Sequence, residues 1–453
     1  MFKKVLVANR GEIACRVLRA CRELGVRSVA IYSQADRDSL HVSLADEAIC
    51  VGAGTNAESY LNLANVLMAA QVSGAEAVHP GYGYFSERAS FAEALEALGI
   101  RFVGPPAKAI EGMGDKARAK QTAIEAGCPV VPGSDGAVPD EAEALRIADQ
   151  IGYPVLLKAV AGGGGRGIRR VDSPDDLSGL WKTAAAEAQA SFGSPEMLVE
   201  RYVTEPRHVE IQIMGDAHGN LVHLGERECS LQNLRHQKIV EEAPYANMPD
   251  GIRKEMGEAA VKVAWSVGYQ NAGTVEFLLD SEERFYFLEM NTRLQVEHPV
   301  TEEVTGVDIV QTMLRVAAGE RLPFKQEDIR WSGHAIEARV TAQDPDKEFA
   351  PSTGTITDWR APGGLGVRME THCYAGYTVS PYYDPLLAKL IVKGSDRSDA
   401  VRRLQSSLAE FRVEGVTTNL PFLRRIAEHP AFLEARATTS FVPQLLSEET
   451  YAA

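Results

Sequence analysis

The chain has 453 residues, 45% of them hydrophobic and 24% charged, which is long and apolar enough for two or three domains with substantial cores and excludes a disordered polymer. A formal net charge of −15 argues against a nucleic-acid or membrane-surface partner, so any anionic substrate has to be met by basic residues gathered locally. The stretch Met1 to Arg10 is too weakly apolar for a signal peptide, no segment approaches a membrane span, and six cysteines without Cys-x-x-Cys spacing suggest neither zinc nor a redox pair, all of which predicts a cytoplasmic protein.

In the first hundred residues, short β-branched runs (5–8, 28–32 and 101–103) alternate with helix-period stretches (12–24 and 90–98), the pattern of βαβ units and a parallel sheet. The turn Asn9-Arg10-Gly11-Glu12 occupies the position of a phosphate-binding turn but lacks the triple glycine pattern. Residues 79–87, His-Pro-Gly-Tyr-Gly-Tyr-Phe-Ser-Glu, form a Pro-Gly turn in which Tyr82 is equally suited to stacking on a flat ligand or to packing. A helix over 115–129 ends at Gly127-Cys128-Pro129, and 132–136 reads as a loop and hinge. Next come a strand over 153–159 with Lys158 on it, a glycine run including Gly163, Gly164, Gly165 and Gly167, and a returning strand over 168–171. That run is neither a Walker A motif nor the opening of a helix, but Lys158 and Lys116 stand ready to meet phosphates as glycine N–H groups close over them. From about residue 205, strand-like runs (208–213, 221–225, 273–279, 284–289, 333–340 and 386–392) separated by helical ones predict a larger α+β unit. The predicted units are 1–114, 115–204 and 205–453.

The charged segment 226–238 includes His236 and Lys238, two apart, which an extended backbone aims into one cleft. Glu276 and Glu289 sit within two apolar strands, where buried carboxylates cost several kcal/mol each unless neutralised, so a shared cation with Asn291 as a further oxygen ligand is the economical reading. Residues 289–298 read Glu-Met-Asn-Thr-Arg-Leu-Gln-Val-Glu-His, and a period of two puts Glu289, Asn291, Arg293, Gln295 and Glu297 on one side of an extended chain. That row supplies metal ligands, an anion clamp and a candidate base. Arg339 is a cation in an apolar and acidic strand, too far from Glu337 along the backbone to pair with it.

Together these motifs, with Val7 to Ala14, Met113-Gly114-Asp115-Lys116 and Tyr374 to Val379, resemble the ATP-grasp superfamily and within it biotin carboxylase, from residue 1 to about 445. The resemblance implies an ATP-grasp fold of α/β and α+β character, with an N-terminal Rossmann-like βαβ domain, a small lid and a mixed C-terminal domain. It also implies a two-step ligase reaction: bicarbonate attacks the γ-phosphate of ATP, and the resulting carboxyphosphate delivers CO2 to a biotin ureido nitrogen. Carried over residue by residue, Lys116, Lys158, the glycine loop, Glu200, Val203, His208, Gln232, His236 and Glu276 hold the nucleotide, and Glu276, Glu289 and Asn291 hold Mg2+ or Mn2+. Arg293, Gln295 and the Val296 backbone clamp bicarbonate, Glu297 is the general base, Lys238 steadies carboxyphosphate, Arg339 stabilises the biotin enolate and Tyr82 lines that pocket. The implied partners are a biotin carboxyl carrier protein, carboxyltransferase subunits and a second copy of the chain. The absence of a Met-Lys-Met sequence predicts that the carrier is a separate chain, and acetyl-CoA is the expected final acceptor ahead of pyruvate, 2-oxoglutarate or another acyl-CoA.

The sequence departs from the family at three places. Gln232 to Lys238 holds one residue more and one arginine fewer than usual, Arg201 replaces a lysine beside the adenine, and Leu365 stands where relatives carry an aromatic at their dimer interface. Two alternatives remain open, another acyl-phosphate-forming ATP-grasp ligase and a catalytically silent scaffold subunit.

Overall fold

The computed structural model describes residues 1–160 and 168–450; the glycine run with Gly163, Gly164, Gly165 and Gly167 lies outside them. The apolar runs Lys4–Val7, Arg27–Ser33, Glu47–Gly52, Ala77–His79 and Arg101–Phe102 build a five-stranded parallel sheet with Lys4–Val7 at its centre. Central parallel strands are covered on both faces, which is why Val5, Leu6 and Val7 are wholly buried. The amphipathic helix Gly11–Glu23 follows the first strand and is acidic in its first turn and basic in its last, as the helix dipole favours.

The loop between them is no phosphate cradle. Asn9 spans the gap to the Pro-Gly turn, its Nδ2 donating to the carbonyls of Pro80 and Tyr82 at 2.7 Å each. Arg10 turns away to make a two-pronged bond to buried Asp36. These contacts fix Tyr82 at the rim of the central cavity.

A small antiparallel sheet, ordered Ile168–Val171, Val155–Ala159, Met197–Arg201, carries Lys158 and Glu200. Residues 132–136, expected to be a loop and hinge, run against this sheet: Ser134 N donates to Val199 O at 2.8 Å and Gly133 bridges Glu200. A Cβ on Gly133 would meet Val199 O at 2.5 Å, so only glycine permits the approach.

The largest sheet has eight strands, in the order Phe285–Asn291, Asn271–Leu279, Arg207–Gly215, Leu221–Gln232, Lys238–Ala243, His334–Thr341, Leu386–Gly394, Val367–Thr371. Every neighbouring pair is antiparallel. One face packs the helix Asp250–Ser266 over Val209, Ile211, Ile213, Val275 and Phe277. The opposite face of the same strands collects His208, Glu210, Gln212, Thr274 and Glu276, all buried. A fully buried Arg227 ties that polar layer together, donating to Glu210 at 2.5 Å, Gln212 at 2.7 Å, Thr301 at 3.0 Å and Thr274 at 3.1 Å.

Further along the sheet, Glu228 is register partner to Glu242. Burial and then Glu242 push its carboxyl up to about 7, although Ser230 and Arg207 pull the other way. A carboxyl raised on folding contributes stability in full below its ordinary value of 4.5 and loses it as pH climbs through 7. Glu228→Gln is therefore expected to raise the melting temperature at pH 8 and to leave it nearly unchanged at pH 4, a comparison that thermal unfolding at the two pH values checks.

Candidate active site

Residues from much of the large sheet, with Tyr82 and Lys116, line a cavity of about 980 Å3. The residues 289–297 reach it by a different route from the extended row expected. The strand ends at Asn291 and Glu297 sits immediately before the helix His298–Thr305. Leu294, at the middle of the row, is fully buried in the core cluster that holds Val17 and Ile309, and a leucine there is worth about 2–5 kcal/mol. Glu289, Asn291, Arg293, Gln295, Val296 and Glu297 still face the same cavity. The bend gives Glu297 a helix N-terminus behind it, a favourable place for an anion.

Lys238 is the hub. Its ammonium donates to Glu210 and Glu297 at 2.6 Å each, to Glu276 at 3.0 Å and to Gln295 at 3.3 Å. Burial alone would depress such a lysine, yet Glu210, Glu276 and Glu297 hold it well above its ordinary value, so it stays cationic. Burial would likewise raise Glu297, but Lys238, Arg339 and Arg227 outweigh it and keep the carboxyl well below the usual range. Arg339 reaches the second oxygen of Glu297 at 2.8 Å. It does not pair with Glu337; its other partner is Glu241, at 2.6 Å from its Nε. The result is an ionised, acceptor-only carboxylate gripped by two cations at the floor of a cavity.

Glu276 and Glu289 are cross-strand partners, with Asn291 opposite Thr274 on the same face. Lys238 and His208 overcome burial and keep Glu276 ionised, whereas burial and then the charge of Glu276 raise the Glu289 carboxyl. Lys116 stands 3.6 Å from Glu289, too exposed to neutralise it fully. This oxygen-only donor set, with two carboxylates in mutual repulsion, fits a hard divalent cation such as Mg2+.

Arg293 pairs with Glu87 at 2.9 Å rather than with Glu276 or Glu289. His208 lies 3.1 Å from Glu276, and its Nδ1 accepts from Nε2 of Gln232 at 3.2 Å. His236 and Lys238 share the cavity, as expected, but through a turn: the backbone reverses at 233–237, His236 has φ +59°, and the Asn233 carboxamide oxygen accepts from the amides of Arg235 and Gln237 at 2.9 and 3.0 Å. The extra residue falls in that turn, and Gln232 lines the cavity beside it. Lys158, Glu200 and Val203 lie outside the cavity lining, on or beside the small sheet, where Glu200 bridges Lys158 and Lys120. Burial opposes ionisation of Glu200, and the two lysines keep its carboxyl below the ordinary value nonetheless.

Sequence reasoning passed over Glu87, Glu210, Arg227 and Glu241. The alternation His208, Glu210, Gln212 is legible once the strand is assigned, and Arg227 falls in the segment singled out for its charge. Glu87 and Glu241 carry no local signal, since their partners come from elsewhere in the chain.

A cation-bridged carboxylate beside oxygen donors suited to a hard cation, with a small sheet bearing Lys158 and Glu200 next to a large antiparallel one, is the arrangement of an ATP-grasp ligase. Comparison with known proteins narrows this. Residues 1–110 match the model for the biotin carboxylase N-terminal domain, 115–325 the ATP binding domain of the carbamoyl-phosphate synthase L chain, and 337–444 the biotin carboxylase C-terminal domain. The chain is 51% identical to a biotin carboxylase of Nostoc sp., covering 98% of this chain and 99% of that protein. It is 50% identical to the 2-oxoglutarate carboxylase small subunit of Hydrogenobacter thermophilus, covering 98% and 94%. The biotin carboxylase domain dimer of that organism's 2-oxoglutarate carboxylase, solved with MgADP, ADP and bicarbonate, superposes with a TM-score of 0.91 at 50% identity over 98% of each chain. The chain belongs to the biotin carboxylase family, and it is a ligase that carboxylates biotin with ATP and Mg2+.

Proposed function

We propose that this protein is the biotin-carboxylating component of an acetyl-CoA carboxylase, acting in the cytoplasm on biotin carried by a separate protein and passing the carboxyl group to carboxyltransferase subunits. The observation that carries the chemistry is Glu297, ionised in a buried cavity and held by both Lys238 and Arg339. In this reading Glu297 takes the proton of bicarbonate while Arg293, Gln295 and the Val296 amide hold the anion. A bicarbonate oxygen then bonds to the γ-phosphorus and ADP leaves with the electrons of the broken P–O bond. The carboxyphosphate C–O bond breaks to CO2 and phosphate, the released phosphate takes the N–H proton of the biotin ureido group, and the nitrogen of the resulting enolate, stabilised by Arg339 with the ring beside Tyr82, bonds to the carbon. Lys238 steadies the negative charge on carboxyphosphate, in line with electrostatic stabilisation as the main catalytic device in phosphoryl transfer. Mg2+ held by Glu276, Glu289 and Asn291 neutralises the developing charge on the phosphates.

Lys116, Lys158, Glu200, Val203, His208, Gln232 and His236 are assigned to the nucleotide, and so by resemblance are Gly163, Gly164, Gly165 and Gly167. The division into 1–114, 115–204 and 205–453, and a homodimer, belong to the same reading. Because relatives serve pyruvate and 2-oxoglutarate carboxylases as well, the acceptor is decided by reconstitution: the chain, its biotinylated carrier and a carboxyltransferase from the same source are mixed with ATP, Mg2+ and bicarbonate, and acetyl-CoA, pyruvate and 2-oxoglutarate are offered in turn. Malonyl-CoA as the product supports the acetyl-CoA assignment, and turnover confined to a keto acid overturns it.

A further inference from the structure

The two peptide groups that lead into Glu297 are each gripped by a buried side chain. The carbonyl of Gln295 accepts from His298, whose Nδ1 lies at 2.7 Å and whose backbone amide lies at 3.3 Å. Burial and then Lys389 drive the His298 imidazole well below its ordinary value, so the ring is neutral and its proton sits on Nδ1, the nitrogen that faces a carbonyl. The carbonyl of Val296, in the next peptide, accepts at 2.8 Å from Nζ of Lys389.

Lys389 comes from the Leu386–Gly394 strand and is wholly buried. Its Nζ lies 3.2 Å from Oε2 of Glu12, in the first turn of the Gly11–Glu23 helix. The hydroxyl of Tyr82 donates to the other oxygen of Glu12. Two further acids stand near Lys389: burial raises the Glu337 carboxyl well above the ordinary range, and Glu370, opposite Lys389 in register, is paired with Arg19 and Arg368. A packed apolar side chain would fill the same space without a desolvated charge, so the lysine is explained by what it holds. It holds one carbonyl, in the peptide that joins the Val296 backbone to the Glu297 base.

We propose that Lys389, set by Glu12 and Tyr82, is a positioning residue that fixes the 296–297 peptide so that the Val296 backbone and the Glu297 carboxylate meet the same small anion. The proposal rests on the reading of that anion as bicarbonate. It also gives Tyr82 a second task, because the Tyr82–Glu12–Lys389 contacts connect the rim of the cavity to its floor.

The test uses the full chain with Lys389→Met combined with Glu12→Gln, which removes both charges and orphans neither, and Glu12→Gln alone as a milder variant that keeps the lysine. The double variant is expected to raise KM for bicarbonate in ATP cleavage by about tenfold, the loss of roughly one charge-assisted hydrogen bond, with KM for ATP within about twofold of wild type. Glu12→Gln alone shifts bicarbonate KM in the same direction by a smaller factor. Amide hydrogen exchange, read without any substrate, is expected to quicken across 294–298 in the double variant and to stay slow in the rest of the Leu386–Gly394 strand. A folded double variant with wild-type bicarbonate KM overturns the proposal, as does a double variant too unstable to purify accompanied by Glu12→Gln with wild-type KM. If the wild-type chain shows no bicarbonate-dependent cleavage, the functional reading has failed instead, and unchanged exchange across 294–298 then overturns the positioning role on its own.

Discussion

Glu297→Gln is expected to lower bicarbonate-dependent ATP cleavage by about 10²–10⁴-fold, the range that a positioned general base contributes. The substitution keeps the shape of the side chain and removes both its proton affinity and its charge. Neither loss is made good nearby. Glu276 is occupied by Lys238, Asn291 and Gln295, and Glu241 faces Arg339 from the far side. The effect should fall on kcat, with KM for ATP nearly unchanged, because the contacts of Glu297 are to Lys238 and Arg339 at the cavity floor. Steady-state ADP release, with the melting temperature checked for each variant, measures it; a loss below about tenfold would remove Glu297 from the role of base.

The second large effect is on stability. Arg227→Met is expected to cost about 3–5 kcal/mol, as breaking a buried, hydrogen-bonded ion pair does. Arg227 is completely buried and its guanidinium satisfies Glu210, Gln212, Thr274 and Thr301, which come from two neighbouring strands and the helix that follows Glu297. Methionine fills part of the volume but leaves those oxygens without their donor. An exposed arginine serves as the control: Arg170, paired with Asp172 at the surface, is expected to leave the unfolding midpoint close to that of wild type when replaced by Met. The fall in the urea midpoint of the two variants checks the contrast. The same disturbance should weaken activity even in the folded fraction, since Arg227 also helps keep Glu297 ionised.

The alternating helix and strand pattern of the first hundred residues was legible because Lys4–Val7 and Arg27–Ser33 each carry a buried apolar run and are each followed by a helix. Glu47–Gly52 and Ala77–His79 escaped notice because one alternates exposed positions and the other has only three residues. In the large sheet, Arg207–Gly215, Asn271–Leu279 and Phe285–Asn291 fell within two residues of their expected bounds, since their apolar face is continuous. The 289–297 row shows the limit of periodicity. A period of two assigns residues to one side only while the chain stays extended, and here the strand stops at Asn291. The chemistry survived the error because every polar residue of the row still turned toward the cavity. The partners of those residues were harder to foresee. Lys389 lies 93 residues from the carbonyl it holds, and Glu87 lies 206 residues from Arg293, and no local pattern encodes such distances.

The most direct test of the account is the fate of labelled bicarbonate. The purified chain, given ATP, Mg2+, free biotin and labelled bicarbonate, is expected to release ADP in step with the appearance of label in carboxybiotin, and Glu297→Gln is expected to abolish both together. ADP release that depends on bicarbonate but is indifferent to biotin, with no label in carboxybiotin, would contradict the account and move the substrate to another ATP-grasp ligase class.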